Sequence, residues 1–247
     1  MTEMTTGGPA TAPASGAGAA VSATGLRRTF GTGDAAVEAL RGVDVSFPRG
    51  QFAAVMGPSG SGKSTLMHLL AGLDAPTAGS VEIDGREITT MGDAELTRLR
   101  RDRIGFVFQF FNLLPMLSAE QNVELPLRLA GRSAEDGWVE QLLASVGLGD
   151  RRRHKPSELS GGQQQRVAVA RALVNKPAVV FADEPTGNLD SKTSTEVMSL
   201  FGELGKSGIT VVLVTHEPDI AQYARRVITM KDGLVVEDRS PVEGGLR

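Results

Sequence analysis

Residues 52–70 read FAAVMGPSGSGKSTLMHLL, and this stretch decides the fold. Phe52–Met56 is a short apolar run of strand length, and Thr65–Leu70 carries the apolar residues of a following helix. Between them Gly57-Pro58-Ser59-Gly60-Ser61-Gly62-Lys63-Ser64 satisfies the pattern G-x-x-x-x-G-K-[ST]. Glycines let the backbone wrap closely, so that its N–H groups point at phosphate oxygens. The N-terminus of the helix opened by Lys63, Ser64 and Thr65 adds a favourable field for an anion. Lys63 brings a point charge to the β- and γ-phosphates, and the Ser64 hydroxyl suits Mg²⁺. A glycine-rich turn before a helix is the plain alternative, but strand and helix are both in place. The helix is expected from Lys63 to about Ala71, closed by Gly72.

Outward from this loop, the C-terminal half alternates. Helices are expected at 161–174, 192–204 and near 218–224, with strands at 178–182 and 209–214. Fully apolar strands alternating with helices predict a buried parallel sheet. On the other side, residues 36–56 hold Val37, Leu40, Val43, Val45 and Phe47, with Pro48-Arg49-Gly50 as a turn between strands. Ser80–Ile83 followed by Asp84-Gly85 predicts a hairpin. Arg226–Met230, Lys231-Asp232-Gly233 and Leu234–Glu237 predict a last one. From about 88 to 160 the pattern turns helical. Asp93–Arg103 is charged, and Ser133 opens a helix with Val139, Leu142, Leu143 and Val146 on one face and Gly147 at its end. Ile104–Phe108 is the strand signal there. The expectation is an α/β domain over 24–247: a mainly parallel core sheet, an antiparallel N-terminal β subdomain and a helical insertion at about 88–160. Residues 1–23 are small residues, threonine, proline and glycine with Glu3 as the one charge, which predicts a disordered tail. The tail has no basic n-region or leucine run, so a signal peptide is not expected.

Composition narrows the chemistry. A chain of 247 residues with 40% hydrophobic and 22% charged residues can bury a core without staples. There is no cysteine, which excludes disulfides, cysteine metal sites and cysteine nucleophiles. His68, His154 and His216 lie far apart in sequence. The net charge of -3 argues against a nucleic-acid partner. The longest apolar runs, Ala178–Ala182 and Ile209–Val214, fall far short of the ~20 residues of a membrane span.

A second site is written at the end of the strand 178–182, where Asp183-Glu184 follow. Two carboxylates there sit at the carboxyl edge of the sheet, where ligands of open α/β sheets bind. Asp183 suits Mg²⁺, commonly through water. Glu184, one residue on, suits orienting or deprotonating an attacking water. A base-reading motif of GTPases is missing: the nearest string, Asn175-Lys176-Pro177-Ala178, lacks the aspartate.

Leu159-Ser160-Gly161-Gly162-Gln163 lies before these acids. Ser160-x-x-Gln163 is a capping box for the helix that follows, and a glycine-rich helix N-terminus is also an anion site. Together with the phosphate loop and Asp183-Glu184, it makes the sequence resemble the ABC ATPase nucleotide-binding domain over roughly residues 24–240, a P-loop NTPase fold. The resemblance implies that Ser160, Gly161, Gly162 and Gln163 contact ATP held on a second copy of the chain. It implies that Gln109 is the Q-loop glutamine near Mg²⁺ and the permease, and that Asp190, in Asn188-Leu189-Asp190, lies in the loop joining two sites. It makes His216 the switch histidine at the γ-phosphate and Phe30 the aromatic that stacks on adenine. Tyrosine is usual at that last position, and phenylalanine keeps the stacking face.

Phe108-Gln109-Phe110-Phe111-Asn112-Leu113-Leu114-Pro115, Glu120–Pro126 and Ala182–Asp190 further resemble the MacB/LolD/FtsE-type subfamily. This implies a self-dimer on the cytoplasmic face of the membrane, paired with an integral-membrane permease of FtsX/MacB type for export or mechanotransmission. The alternative it leaves is an FtsE-like regulatory ATPase controlling a cell-wall hydrolase or a sensor. A soluble ABC ATPase of ribosomes or DNA repair is disfavoured, because there is neither a second ATPase domain nor a sustained heptad run. The resemblance places the permease contact at Phe110, Phe111, Leu113, Leu114, Met116 and Leu117, so apolar a segment calling for a cover; packing within the helical insertion is the alternative, for Leu114 and Leu117 above all.

Overall fold

The computed structural model describes residues 18–239. The N-terminal part builds an antiparallel sheet from β1 (Ala19–Phe30), β2 (Val37–Pro48), β4 (Ala78–Ile83) and β5 (Arg86–Glu87), in the order β2-β1-β4-β5. The core sheet takes β3 (Phe52–Met56), β6 (Ile104–Phe108), β7 (Val179–Asp183), β8 (Thr210–Val214), β9 (Arg226–Lys231) and β10 (Leu234–Arg239). Its order is β10-β9-β3-β8-β7-β6, parallel from β9 to β6, with β10 antiparallel at one edge. The helices are α1 (Lys63–Leu70), α2 (Asp93–Arg103), α3 (Ala119–Leu129), α4 (Trp138–Ser145), α5 (Gly161–Leu173), α6 (Ser191–Lys206) and α7 (Pro218–Ala221). Among the described residues no helix is long and apolar enough to cross a membrane.

The apolar strands are continuous because both faces of the core sheet are covered. In β8, Val211 and Leu213 join the cluster with Val169, Leu173, Val197 and Phe201 of α5 and α6, while Val212 and Val214 join the cluster with Leu66 and Leu70 of α1. β7 divides the same way, Val180 and Ala182 to one side and Val179 and Phe181 to the other. Period-2 side-chain alternation with apolar contacts on both faces leaves no polar positions to write into the sequence.

Three expectations are corrected. The tail expected over 1–23 does not hold for Ala19–Ala23, which are strand with Ala20, Val21 and Ala23 buried. β1 lies between β2 and β4, so its backbone is hydrogen-bonded on both sides and the small residues at its start are held in the sheet. Residues 1–17 lie outside the described residues. The helix expected from Ser133 starts at Trp138 instead: Gly137 takes a left-handed φ of 75°, and Trp138 N–H bonds back to the Glu135 carbonyl at 3.0 Å. α3 was not expected as an element. It carries Pro126 inside, yet Ser118 and Gln121 close a full capping box at its start. The Asp84-Gly85 turn, by contrast, stands as read, with φ of 55° and 74°.

Candidate active site

Every strand of the parallel sheet ends on the same edge, and the phosphate loop leaves its central strand, β3. Gly57 takes φ 150°, and a Cβ there would come 2.2 Å from the Met230 carbonyl oxygen, so no side chain fits. Gly62 is the N-cap of α1 in left-handed conformation, with no side chain capping the helix. The first-turn amides of α1 are therefore left for a ligand. Lys63 arches back over the loop: Nζ donates to the carbonyls of Gly57 (2.9 Å) and Pro58 (3.0 Å), and the residue is 7% exposed. A cation held by neutral carbonyls exchanges them favourably for phosphate oxygens. Gly57–Gly60, Gly62, Lys63, Ser64 and Thr65 line a cleft of about 1590 Å³, joined by Glu184 and His216. Ser61 serves differently: its side chain is buried with an unpartnered hydroxyl, and its carbonyl accepts from Gly233 N–H at 3.1 Å, tying the loop to the β9–β10 turn.

Glu184 comes to this cleft through register, with Asp183 one residue behind it at the strand end and outside the lining. Asp183 pairs with Val214 across the parallel β7–β8 ladder, which sets Glu184, one residue past that pair, and His216, two residues past it, beside each other at the sheet edge. His216 Nδ1 lies 2.8 Å from Glu184 Oε1. Burial, and then the charge of Glu184, push the Asp183 carboxyl above its ordinary range, with His68 and Lys63 pulling back. Glu184 itself sits at φ 44°, a costly conformation for a non-glycine residue. The backbone around it is held by Glu184 N–H to the Val214 carbonyl (2.9 Å) and Gly187 N–H to the Glu184 carbonyl (3.0 Å).

Gln165 completes that support and was missed from the sequence. It is fully buried, and Nε2 donates to the Pro185 carbonyl at 2.7 Å and the Phe108 carbonyl at 3.3 Å. Its signal was available: with Val169 and Leu173 it forms an i, i+4, i+8 stripe that is otherwise apolar.

The remaining predicted residues stand apart from the cleft. Ser160 and Gln163 form the capping box of α5, Ser160 N–H to Gln163 Oε1 at 2.9 Å and Gln163 N–H to Ser160 Oγ at 3.3 Å. Gly162 faces Thr193 so closely that a Cβ would meet its methyl at 2.1 Å. Asp190 caps α6 through Thr193 N–H (3.0 Å) and Oγ1 (2.6 Å), which holds its carboxyl below the ordinary range. The Gln109 side chain lies against Gly187, and the Gln109 carbonyl accepts from Asn188 Nδ2 at 2.9 Å. Phe30 ends β1 with 43% exposure, opposite Val37. None of these lines the cleft, although Ala39, two residues beyond Val37, does.

The segment after Gln109 is pinned from behind. Arg171 donates to the carbonyls of Asn112 (2.5 Å) and Phe111 (2.9 Å), and burial lowers its pKa. Buried Asn122 holds Leu114 N–H (2.8 Å) and donates to the carbonyls of Leu114, Leu117 and Ser118. Phe110 and Met116 are left 69% and 66% exposed, whereas Leu113 packs on the core.

The donor set suits Mg²⁺ shared with a polyphosphate. No cluster of three or more acidic, histidine or cysteine residues able to cage a metal occurs among the described residues. One hydroxyl, Ser64, and one carboxylate, Asp183, near the phosphate loop match the few protein ligands Mg²⁺ takes beside phosphates and water. The raised Asp183 carboxyl is a site whose charge a divalent cation would relieve.

Comparison with known proteins agrees. Residues 40–187 match the family model described as ABC transporter. A Bdellovibrio bacteriovorus protein named macrolide export ATP-binding/permease protein MacB is 50% identical over 218 residues, covering 87% of this chain. The chain spans 33% of that relative's length. An ABC transporter ATP-binding protein of Thermotoga maritima is 49% identical and is covered to 94%, with 88% of this chain aligned. The solved dimer of an ATP-binding cassette in a post-hydrolysis state with ADP and Pi is 44% identical, with TM-score 0.80, covering 91% of this chain and 100% of that one.

Proposed function

This chain belongs to the ABC transporter family, and from that premise we propose that it is the ATP-hydrolysing subunit which closes on a second copy of itself to drive a membrane permease of FtsX/MacB type. It binds ATP at the loop Gly57–Thr65 and hydrolyses it. The observation that carries the reading is the split site. One cleft gathers the phosphate loop, Glu184 and His216, while the anion-binding loop Ser160–Gln163 points elsewhere. A loop of that chemistry without a cleft of its own serves the cleft of a second copy, as the dimeric cassettes among its relatives support.

In this reading Lys63 and the first-turn amides of α1 hold the phosphates. Ser64 and Asp183 hold Mg²⁺, which neutralises charge on the phosphates when bound. Glu184 takes the proton of the attacking water. His216, which shares Glu184 Oε1, orients that carboxylate and reaches the γ-phosphate once it lets go. Gln109 lies against Gly187 and enters only by moving, which makes it the element that reports nucleotide to the segment behind it. That segment offers Phe110 and Met116 outward to a cytoplasmic helix of the permease, so the chain works at the cytoplasmic face of the membrane. No nucleic acid takes part.

Export of lipoprotein, peptide or drug and mechanotransmission are the outputs of such pairs. Co-purification with the neighbouring membrane protein, repeated with Phe110→Asp and Met116→Asp, tests the reading. Basal ATPase should persist and permease stimulation should vanish. Stimulation unchanged in both variants places the permease contact elsewhere. A partner that stimulates the ATPase while engaging a cell-wall hydrolase, with no transport, selects the FtsE-like alternative.

A further inference from the structure

The exposed aromatic Phe30, whose strand pairs with the one that carries Ala39 to the cleft, is backed by a partly buried cation. Arg28, two residues before Phe30 on β1, places its guanidinium carbon 4.5 Å from the ring centroid. The fork is anchored from the protein side: Nη1 donates to the Ala75 carbonyl at 2.8 Å and Nη2 to Asp74 Oδ1 at 2.9 Å. Ala75 N–H fixes the same carboxylate oxygen at 2.8 Å. Nε is buried with no hydrogen-bond partner among the described residues. The Arg28 side chain is 23% exposed and Phe30 43%, so the guanidinium takes the inner face of the ring and leaves the outer face to solvent. Val37, the cross-strand partner of Phe30, is 64% exposed beside it.

A surface phenyl ring ordinarily turns between rotamers, and a ligand that stacks on it must first order it. Here that ordering is done in the empty chain. An N–H left buried without an acceptor is a local cost, and the π-face stacked against the guanidinium is what offsets it.

We propose that Arg28 is a positioning residue for the nucleobase: clamped by Asp74 and Ala75, it fixes the Phe30 ring with one face open as a preformed platform for adenine. The proposal rests on the reading of Phe30 as the base-stacking aromatic. Arg28 makes no contact with the nucleotide and acts through the ring alone. It therefore affects ligands that carry a base and leaves the phosphate cradle untouched.

Isothermal titration of the full chain with ATP and with inorganic tripolyphosphate, both in EDTA, separates these. Arg28→Met keeps length and apolar bulk but removes the charge and the fork. It should weaken ATP about 3- to 10-fold, the span of a partly exposed cation–π contact, and leave tripolyphosphate within about twofold. Asp74→Asn, which loosens the clamp from behind, should give a smaller loss confined to ATP. Phe30→Ala should weaken ATP at least as much as Arg28→Met. Equal losses for ATP and tripolyphosphate in Arg28→Met mean general damage to the fold and overturn the proposal. So does unchanged ATP affinity in Arg28→Met when Phe30→Ala weakens it. Unchanged ATP affinity in Phe30→Ala fails the base-stacking reading itself, whatever Arg28→Met does.

Discussion

α1 and α5 both begin in glycine-rich loops, and they begin in opposite ways. At α1 the N-cap is Gly62 in left-handed conformation, no side chain reaches the first turn, and Lys63 arches over the loop on two carbonyls. At α5 the N-cap is Ser160, and its capping box with Gln163 closes on the helix's own amides. The first helix end is incomplete without an anion. The second is locally satisfied by its own capping box. Under the proposed function, a strong resident site and a weak visiting one on the same chain are what a nucleotide-gated dimer needs, since a visiting loop that bound phosphate tightly alone would never reopen.

The sharpest way to separate the two is to stop the chemistry without touching either helix end. Glu184→Gln keeps size and hydrogen bonding but removes the base, so turnover should fall by about 10²–10⁴-fold with ATP affinity kept. The variant should run as an ATP-bound dimer on size exclusion. Turnover near the wild-type rate would take Glu184 out of the base role. Lys63→Ala strikes the resident site and should weaken ATP binding on the order of 100-fold, because the loop offers no second cation. Ser160→Arg strikes the visiting site. Affinity for a fluorescent ATP analogue should stay within about threefold while closure with a second copy is lost, the charge lying outside the chain's own cleft. If its affinity fell as far as that of Lys63→Ala, the two helix ends would serve one cleft.

The smallest effect concerns Asp183. Its carboxyl is raised above the ordinary range, so the folded chain holds that proton more tightly than the unfolded chain does. The ionised form therefore costs stability as pH rises through the folded value, and nothing is lost below the unfolded one. Asp183→Asn should raise Tm by a few degrees at neutral pH in EDTA, with the gain fading toward pH 3. A gain that is constant with pH would mean that the amide stabilises by packing and not by removing charge.

The same contrast marks what was legible in the sequence. The phosphate loop and the strand-end acids are read directly, because backbone geometry demands glycine and the sheet edge places Asp183 and Glu184. The turn Asp84-Gly85 and the limits of α2 are legible for the same local reasons. What escaped depends on tertiary context. Ala20, Val21 and Ala23 look like tail and are buried strand, because pairing with β2 and β4, which lie far off in sequence, draws them into the sheet. Ser133 looks like a helix cap, but the left-handed Gly137 delays α4 to Trp138. Gln165 reads as one of three glutamines in a row, and only the carbonyls of Phe108 and Pro185 show what it ties together. Phe30, Gln109 and Asp190 are placed by family pattern alone, since no local rule carries their chemistry.

Two glycines inside helices have opposite fates in heredity. At Gly162 the first carbon of any side chain would meet Thr193 at 2.1 Å, while at Gly202, within α6, nothing lies within 4 Å. Every codon change at 162 that alters the residue adds that carbon, so a substitution there requires the Thr193 side chain to turn or position 193 to change. At 202 the commonest single-base replacements are free to drift, and alanine even gains about 1 kcal/mol of helix propensity. The start of α5 is thus held close against α6 at Gly162, while Gly202, a helix length away on α6, has room for a side chain.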